Sequence, residues 1–314
     1  MMNSEIKDGI WPVMVTPFDE GMNVVYDTVD HIVDFYYNNG CAGVFATCLT
    51  SEVADLSYDE ILELVKATVK SASGRLQVVG GAILFENVER QIELVKHVYD
   101  CGAHAVVVAA SQLCGKNDSV DTFKANITKL MDETGDIPLG MYECPFPYHR
   151  ILSPETYLWL AKTGRFVFHK DTCCNIDGIK EKLTLSAGTK MKFFNAHCAT
   201  LLDSLACGGN GYCGVGTNYY PEIFSWLFEN YNSADPALVK KVYDFAKDSE
   251  SYYDLCDAYP ATAKELLKNR GIDIEDYCRI KTGKLDKIAC EQLQQLAEKI
   301  VHIRESFNTY CCAV

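Results

Sequence analysis

The chain contains 314 residues, of which 48% are hydrophobic and 23% are charged, the composition of a globular protein with a sizeable core. Its formal net charge of −14 argues against nucleic acid or an anionic membrane surface as the main partner, because both require clustered Lys and Arg. The N-terminal stretch MMNSEIKDGI lacks the basic-then-apolar plan of a signal peptide and no run of about 18 apolar residues occurs, so we expect a soluble, cytoplasmic protein.

Short apolar runs alternate along the chain with longer segments of helical periodicity. Strands are predicted at 10–15, 43–47, 76–81, 105–110, 138–142, 165–170, 191–196 and 211–215. Helices are predicted between them, for example at 26–39, 57–72, 87–101 and 121–134. This alternation indicates a parallel sheet, and near-continuous apolar strands indicate that both of its faces are covered.

The most economical closure of these units is an α/β fold, a (β/α)8 TIM barrel over residues 1–230. An open doubly wound sheet is the alternative, although no G-x-G-x-x-G follows the first strand to form a dinucleotide phosphate loop. Residues 231–314 are expected to form a C-terminal helical region, because the patterns there are all helical. Its helices are predicted at 237–256, 261–271 and 287–307, and Gly271 is a plausible C-cap of the second.

The 15 cysteines resemble a disulfide or metal framework at first sight. Their number is odd, they are spread along the chain, and no Cys-x-x-Cys or other structural zinc spacing occurs. We interpret them mainly as small buried hydrophobes in a reducing compartment, and we predict no metal site and no cofactor.

Polar side chains are predicted to converge where the strands end, which is where TIM barrels carry their active sites. Lys170 ends the sixth predicted strand, Tyr142 ends the fifth, and the second leads into Thr50 and Ser51. The eighth passes through a glycine-dense turn at 208–218. Taken singly, each has an ordinary structural explanation, such as a solvated surface charge for the lysine. Together they place an amine, a phenol, a hydroxyl and close-approaching backbone amides around one cavity.

These groups suit Schiff-base catalysis on a carbonyl compound. A free lysine has a pKa of about 10.4, and an apolar pocket disfavours its charged form, which makes lysine the usual imine-forming nucleophile. A phenol near the amine can move protons as the carbinolamine collapses. A 2-oxo acid also needs its carboxylate held, by hydroxyl and backbone N–H groups such as the Thr50 loop and the glycine turn offer.

The chain resembles the dihydrodipicolinate synthase/N-acetylneuraminate lyase family of class I aldolases from about residue 8 to 225. The shared landmarks are VTPF (15–18), LTSE (49–52), VVGG (78–81), Tyr142 with Pro145, Lys170 with Asp171, and GGNG (208–211) with Asn218 and Pro221. The resemblance implies that Lys170 forms the imine, that Tyr142 relays protons and that Thr50 grips the pyruvyl carboxylate. Cys213 falls where the family uses a backbone contact to the bound oxo acid. A homo-oligomer, tetramer or dimer, is implied as well.

The chain departs from the family in the half of the site that receives a second substrate. Leu49 replaces a relay hydroxyl, Glu143 replaces the usual Asn, Pro147 stands where the synthases have an arginine, and no tyrosine pair follows the fourth strand. We therefore expect a lyase, an aldolase or dehydratase, acting on pyruvate or a sugar-acid-derived 2-keto-3-deoxy acid. The open alternatives are 4-hydroxy-tetrahydrodipicolinate (dihydrodipicolinate) synthase, neuraminate lyase and a non-catalytic 2-oxo-acid-binding homologue.

The stretch PFPYHR (145–150) is expected to select the substrate, because two prolines stiffen a loop that follows the fifth strand directly. Arg150 offers a planar fork for a second carboxylate or for polyol hydroxyls, and His149 an acid or base near neutral pH. The alternative is that Arg150 points into solvent or pairs with an acidic neighbour such as Glu155.

Overall fold

A computed structural model describes residues 5–83 and 87–311, so residues 1–4 of the N-terminal stretch considered above lie outside it. The strands of the described part are β1 Gly9–Ile10, β2 Gly43–Ala46, β3 Gln77–Gly81, β4 Ala105–Ala109, β5 Leu139–Tyr142, β6 Phe166–Asp171, β7 Lys192–Asn195 and β8 Gly211–Tyr212. Its α-helices are α1 Tyr26–Asn38, α2 Tyr58–Ala72, α3 Val88–Asp100, α4 Val120–Glu133, α5 Pro154–Lys162, α6 Ile176–Ser186, α7 Leu201–Ala206, α8 Pro221–Asn230, α9 Pro236–Ser249, α10 Ala261–Asn269 and α11 Lys287–Cys311.

The strands form one parallel sheet in the order β1-β8-β7-β6-β5-β4-β3-β2. Because β1 pairs with β8, the first strand lies beside the last, and a bridge between Val13 and Phe45 joins the β1 segment to β2. The result is a nearly closed barrel with helices between its strands. The predicted (β/α)8 TIM barrel is confirmed, and the open-sheet alternative is wrong.

The first strand is shorter than the predicted run at 10–15 because β8 covers only Gly211–Tyr212 and because Pro12 interrupts the bonding to β2 that begins at Ile10 O. The amide of Trp11 still donates to Tyr212 O at 2.9 Å, whereas Pro12 has no N–H and its carbonyl accepts from Phe45 N at 2.8 Å. Met14 then donates to the carbonyl of Phe45 at 3.1 Å. The segment stays extended and closes the barrel, although its ladder with β8 covers two residues.

The helices on the outside of the barrel begin at polar residues that cap their free N–H groups. Ser57 is the N-cap of α2, and its side chain and that of Glu60 satisfy each other's backbone amides in a capping box. Side-chain caps also open other helices, at Asn87, Ser119, Ser153 and Asn175. Asn175 follows the end of β6 by four residues, whereas Ser57, Ser119 and Ser153 follow longer loops after β2, β4 and β5.

The barrel interior is filled by aromatic rings. Phe168 stacks on Phe194 with ring centres 4.5 Å apart, and Trp11 meets both rings edge-on. Phe45 meets Phe168 edge-on, with ring centres 6.0 Å apart. This layer closes the barrel beneath the ends of β5 and β6.

The C-terminal helices follow the barrel, and α10 ends next to Gly271, whose φ of +88° suits glycine at that position. Glu222 of α8 binds Arg270 at 2.5 Å, which ties the end of α10 to the last barrel helix. The division of the chain near residue 230 remains a prediction. Within the described residues, no helix combines the length and apolar character needed to cross a bilayer.

The described cysteines are free thiols, and they do not all behave as buried hydrophobes. Cys41, Cys48, Cys144, Cys198 and Cys213 are buried, which agrees with the interpretation from sequence. Cys174, Cys207 and Cys256 are exposed, because they lie in loops outside the barrel wall.

The stability of the contact between the barrel and the C-terminal region should depend on pH through Glu60. Arg279 donates to both carboxylate oxygens of Glu60, at 2.6 and 2.8 Å, and lowers the pKa of Glu60 from 4.5 to about 2. A lowered pKa contributes stability that is complete above the ordinary value and is lost as the pH falls toward the folded value. Glu60→Gln should therefore lower Tm by about 2–4 °C at pH 7, and the difference from wild type should disappear between about pH 4.5 and 2.

Glu63→Gln is the matched control, since Glu63 lies on the same helix but pairs with Lys66 where both side chains are 54% exposed. This variant should remain close to wild type throughout. A Tm difference for Glu60→Gln that is independent of pH would contradict the assignment.

Candidate active site

The side chains of β6 alternate between the inside and the outside of the barrel wall. Phe168 and Lys170 point inward, and both approach the ring of Phe45, whose centre lies 5.7 Å from Lys170 Nζ. His169 points outward and meets the ring of Tyr157 in α5 at 4.9 Å. Lys170, which is 4% exposed, therefore ends inside the barrel, above its aromatic layer.

Lys170 differs from the other buried lysines in what surrounds it. Lys182 contacts two carboxylates, at 2.7 and 2.5 Å, and Lys264 contacts one at 2.7 Å. Across the described part of the chain, Lys170 Nζ has neither an ion pair nor a hydrogen bond, and the ring centre of Tyr142 lies 4.3 Å away. A buried lysine among aromatic faces, with no carboxylate, is unusual because burial penalises an uncompensated charge.

Tyr142 is placed next to Lys170 by strand pairing. It ends β5, and its register partner in β6 is Lys170 itself. Burial raises the pKa of Tyr142 well above its ordinary value. The phenol is therefore protonated at neutral pH, so it can donate a proton and recover it later.

A cluster of buried charges lies on the other side of the barrel wall, behind Lys170 and Tyr142. Lys182 of α6 donates to Glu143 Oε1 at 2.7 Å and to Asp171 Oδ2 at 2.5 Å. Glu143 follows Tyr142 in the chain and Asp171 follows Lys170, so Lys182 ties together the ends of β5 and β6. Sequence reasoning missed Lys182, although its spacing from Ile179, Leu183 and Ser186 puts it on the buried face of α6.

The charged groups in this cluster shift one another's pKa values. Burial tends to raise the pKa of Asp171, but its contacts with His169 and the ammonium of Lys182 hold that pKa below its ordinary value. Burial and the nearby carboxylate of Asp171 raise the pKa of Glu143, against the opposing effect of Lys182. Burial also works to lower the pKa of Lys182, yet the two carboxylates hold it above its ordinary value. The ammonium of Lys182 thus remains charged.

Glu143, His169 and Asp171 have ligand atoms within 4.8 Å of one another, close enough to share a metal ion. The ammonium of Lys182 already bridges the two carboxylates, however, and takes the place of a cation. We therefore assign this cluster as an ion-pair network and not as a metal centre.

The loop after β2 places the hydroxyl of Thr50 at the barrel mouth, and hydrogen bonds of Ser51 hold this loop in position. Thr50 lies in a short 3-10 turn, Leu49–Ser51, and its Oγ1 lies 2.7 Å from the hydroxyl of Tyr259. The hydroxyl of Ser51 donates to Met14 O at 2.5 Å and accepts from Cys48 N at 3.0 Å. Thr50 is thus the candidate for ligand contact, while Ser51, predicted to bind substrate, holds the loop in place.

Glu52 anchors the same loop to the C-terminal region. Its φ of +60° is unusual for a residue with a side chain. One carboxylate oxygen accepts from Lys264 Nζ at 2.7 Å, and the other accepts from the amides of Arg279 and Ile280 at 2.6 and 3.0 Å. The contacts of this buried carboxylate hold the loop in its conformation.

Cys213 lies at the end of β8, where its amide donates to Asn195 O at 2.8 Å. Burial raises the pKa of the Cys213 thiol to about 12, although nearby Lys170 acts in the opposite direction. The thiol is therefore neutral and close to Lys170. Lys170, Tyr142, Thr50 and Cys213 are all brought to the same end of the barrel, as expected from sequence.

His149 and Arg150 lie beside the barrel mouth with partners of their own. His149 Nε2 is 2.8 Å from Thr172 Oγ1, at the start of the β6–α6 loop. Arg150, which is partly exposed, donates to Gly115 O at 2.9 Å and to the hydroxyl of Tyr148 at 3.2 Å, and among the described residues it forms no ion pair with Glu155. These contacts direct Arg150 into the β4–α4 loop, and we propose no substrate contact for it.

The chain is similar to proteins of one known family. The model of the dihydrodipicolinate synthetase family matches residues 7–300. The chain is 26% identical over 259 residues to the 4-hydroxy-tetrahydrodipicolinate synthase of Laribacter hongkongensis, covering 82% of this chain and 87% of that protein. It is 24% identical over 308 residues to the synthase of the same name from Methanosphaerula palustris, covering 96% and 99%.

Solved structures agree on the fold. YagE, a prophage protein of the dihydrodipicolinic acid synthase family from E. coli K12 solved in complex with pyruvate, has a TM-score of 0.85 at 20% identity, covering 93% of this chain and 98% of that one. A monomeric dihydrodipicolinate synthase variant also reaches a TM-score of 0.85 at 20% identity, covering 95% and 98%.

Removing the ammonium of Lys182 should destabilise the protein strongly. Lys182→Met keeps the length of the side chain but leaves two buried carboxylates without their cation. We expect a loss of about 3–5 kcal/mol in the free energy of unfolding, measured by urea denaturation.

Lys180→Met is the control, because Lys180 lies on the same helix and is exposed. It should stay within about 0.5 kcal/mol of wild type. Equal effects of the two substitutions would show that Lys182 does not hold the two strand ends together.

Proposed function

Since the chain belongs to the dihydrodipicolinate synthetase family, a family of lyases, we propose that it acts on a small 2-oxo acid through an imine formed by Lys170. The substrate class is pyruvate or a sugar-acid-derived 2-keto-3-deoxy acid, and the reaction is an aldol cleavage or condensation, or a dehydration. The chain would work without a cofactor.

One observation carries the proposal: among the residues that the structure describes, Lys170 is the buried lysine that no carboxylate neutralises. The other two buried lysines have structural partners and are not available for reaction. An amine that is sheltered from water, in contact with aromatic rings and free of ion pairs is suited to attack a carbonyl carbon.

The reaction begins when Lys170 Nζ forms a bond to C2 of the oxo acid. The carbonyl oxygen takes up a proton, and the amine nitrogen loses one, which gives a neutral carbinolamine. Breaking the C2–O bond then releases water and leaves the imine. Tyr142, protonated and in contact with Lys170, is the group we propose to deliver and recover these protons.

The carboxylate of the oxo acid would lie on the Thr50 side of the barrel mouth. We propose that the Thr50 hydroxyl donates to it, together with backbone N–H groups near Cys213 at the end of β8. A carboxylate held at this point directs C2 toward Lys170 and the methyl or methylene carbon toward the open mouth.

The relatives named above favour 4-hydroxy-tetrahydrodipicolinate synthase as a second candidate. Three features of this chain weigh against it: Leu49 in place of a relay hydroxyl, Pro147 in place of an arginine, and the absence of a tyrosine pair after β4. We therefore favour an aldolase or dehydratase. His149, which contacts Thr172 beside the mouth, is the predicted loop residue that we propose to face the second substrate.

Lys170 should be labelled covalently by pyruvate and a borohydride reductant. Reduction of the imine should add a stable mass increment to the peptide that carries Lys170, as measured by mass spectrometry, and Lys170→Ala should abolish it. Lys180→Met should label like wild type, and labelling that persists in Lys170→Ala would refute the assignment.

Tyr142→Phe should slow the proton transfers without changing the fold. Exchange of the pyruvate methyl protons with D2O, followed by NMR, reports imine and enamine formation without knowledge of the second substrate. We expect the exchange to slow by about 10²–10⁴-fold. A rate within a few-fold of wild type would assign the proton relay to another group.

A further inference from the structure

The C-terminal helical region contributes one side chain directly to the Thr50 loop. The hydroxyl of Tyr259 lies 2.7 Å from Thr50 Oγ1, although 209 positions separate the two residues in sequence. Tyr259 lies just before α10, and its ring packs edge-on against Tyr253 at 5.7 Å. The side chain proposed to bind the oxo-acid carboxylate therefore already has a fixed polar partner.

This hydrogen bond has a favoured direction. Burial raises the pKa of Tyr259, while Thr50 acts to lower it, and the net result is a phenol that stays protonated at neutral pH. Either hydroxyl could donate across this distance. Because a phenol is more acidic than an aliphatic hydroxyl, we infer that Tyr259 donates and Thr50 Oγ1 accepts. The single hydroxyl hydrogen of Thr50 is then directed away from Tyr259.

We propose that Tyr259 is a positioning residue, which holds the Thr50 hydroxyl with its hydrogen directed toward the carboxylate of the 2-oxo acid. This inference rests on the proposed function. It adds that the carboxylate site is completed by the C-terminal region of the same chain.

The surroundings keep Tyr259 and Thr50 together in the absence of ligand. Glu52, two residues after Thr50, binds Lys264, and Lys264 lies in the helix that follows Tyr259. The donor is therefore oriented before the substrate arrives, which lowers the entropic cost of binding an anion there.

The test is the concentration dependence of reductive labelling at Lys170, compared for pyruvate and methyl pyruvate. The two compounds share a carbonyl, but the ester lacks the carboxylate. Tyr259→Phe should raise the half-saturating pyruvate concentration about three- to tenfold with an unchanged limiting rate, and should leave methyl pyruvate unaffected. Tyr253→Phe, on the neighbouring ring, is the matched control and should behave as wild type for both compounds.

A double-mutant cycle tests whether Tyr259 acts through Thr50. Thr50→Val should weaken pyruvate labelling by about tenfold or more, and adding Tyr259→Phe to it should cause no further loss. Additive losses, equal losses on pyruvate and methyl pyruvate, or no loss in Tyr259→Phe would each overturn the positioning role while leaving the imine intact. Absence of any labelling in the wild-type protein would instead overturn the proposed function and this inference with it.

Discussion

The alternation of side chains along β6 is the constraint on which the site depends. Successive residues of a strand face opposite sides, so a barrel wall sends Phe168 and Lys170 inward and His169 and Asp171 outward. Two lysines consequently lie on either side of one wall with opposite environments. Within the described residues, Lys170 meets aromatic rings and no carboxylate, while Lys182 meets two carboxylates. The wall thus separates a reactive amine from a structural ammonium.

The C-terminal region contacts the barrel near its mouth through several side chains. Lys264 neutralises Glu52, Arg279 binds Glu60, and the hydroxyl of Tyr259 reaches Thr50. The β2 loop is therefore held from outside the barrel. A loop with a residue at positive φ and a buried carboxylate needs such support, since both features cost free energy when left uncompensated.

Sequence predicted the barrel and the pairing of Lys170 with Tyr142, because strand periodicity fixes where parallel strands end and which side chains meet there. It did not predict Lys182 or Tyr259, since both act on partners far away in sequence and their roles depend on how helices pack on the barrel. The contacts of Arg150 were not predicted either, for a related reason. Two prolines do stiffen its loop, but the direction of the guanidinium is set by carbonyls of the β4–α4 loop, a tertiary contact that local pattern does not encode.

Glu143 illustrates how one change at this site requires another. Members of the family that the chain resembles usually have Asn at this position, and its neutral amide needs no counter-ion. A buried glutamate beside Asp171 instead brings a second negative charge into the same space. Lys182 bridges both carboxylates and also holds the ends of β5 and β6 at hydrogen-bonding distance from one ammonium. Glu143 and Lys182 are therefore one structural unit: a carboxylate without its ammonium would be an uncompensated buried charge directly behind Tyr142 and Lys170. Loss of Lys182 should therefore not be tolerated while both carboxylates remain, whereas loss of the Glu143 carboxylate alone leaves Lys182 paired with Asp171.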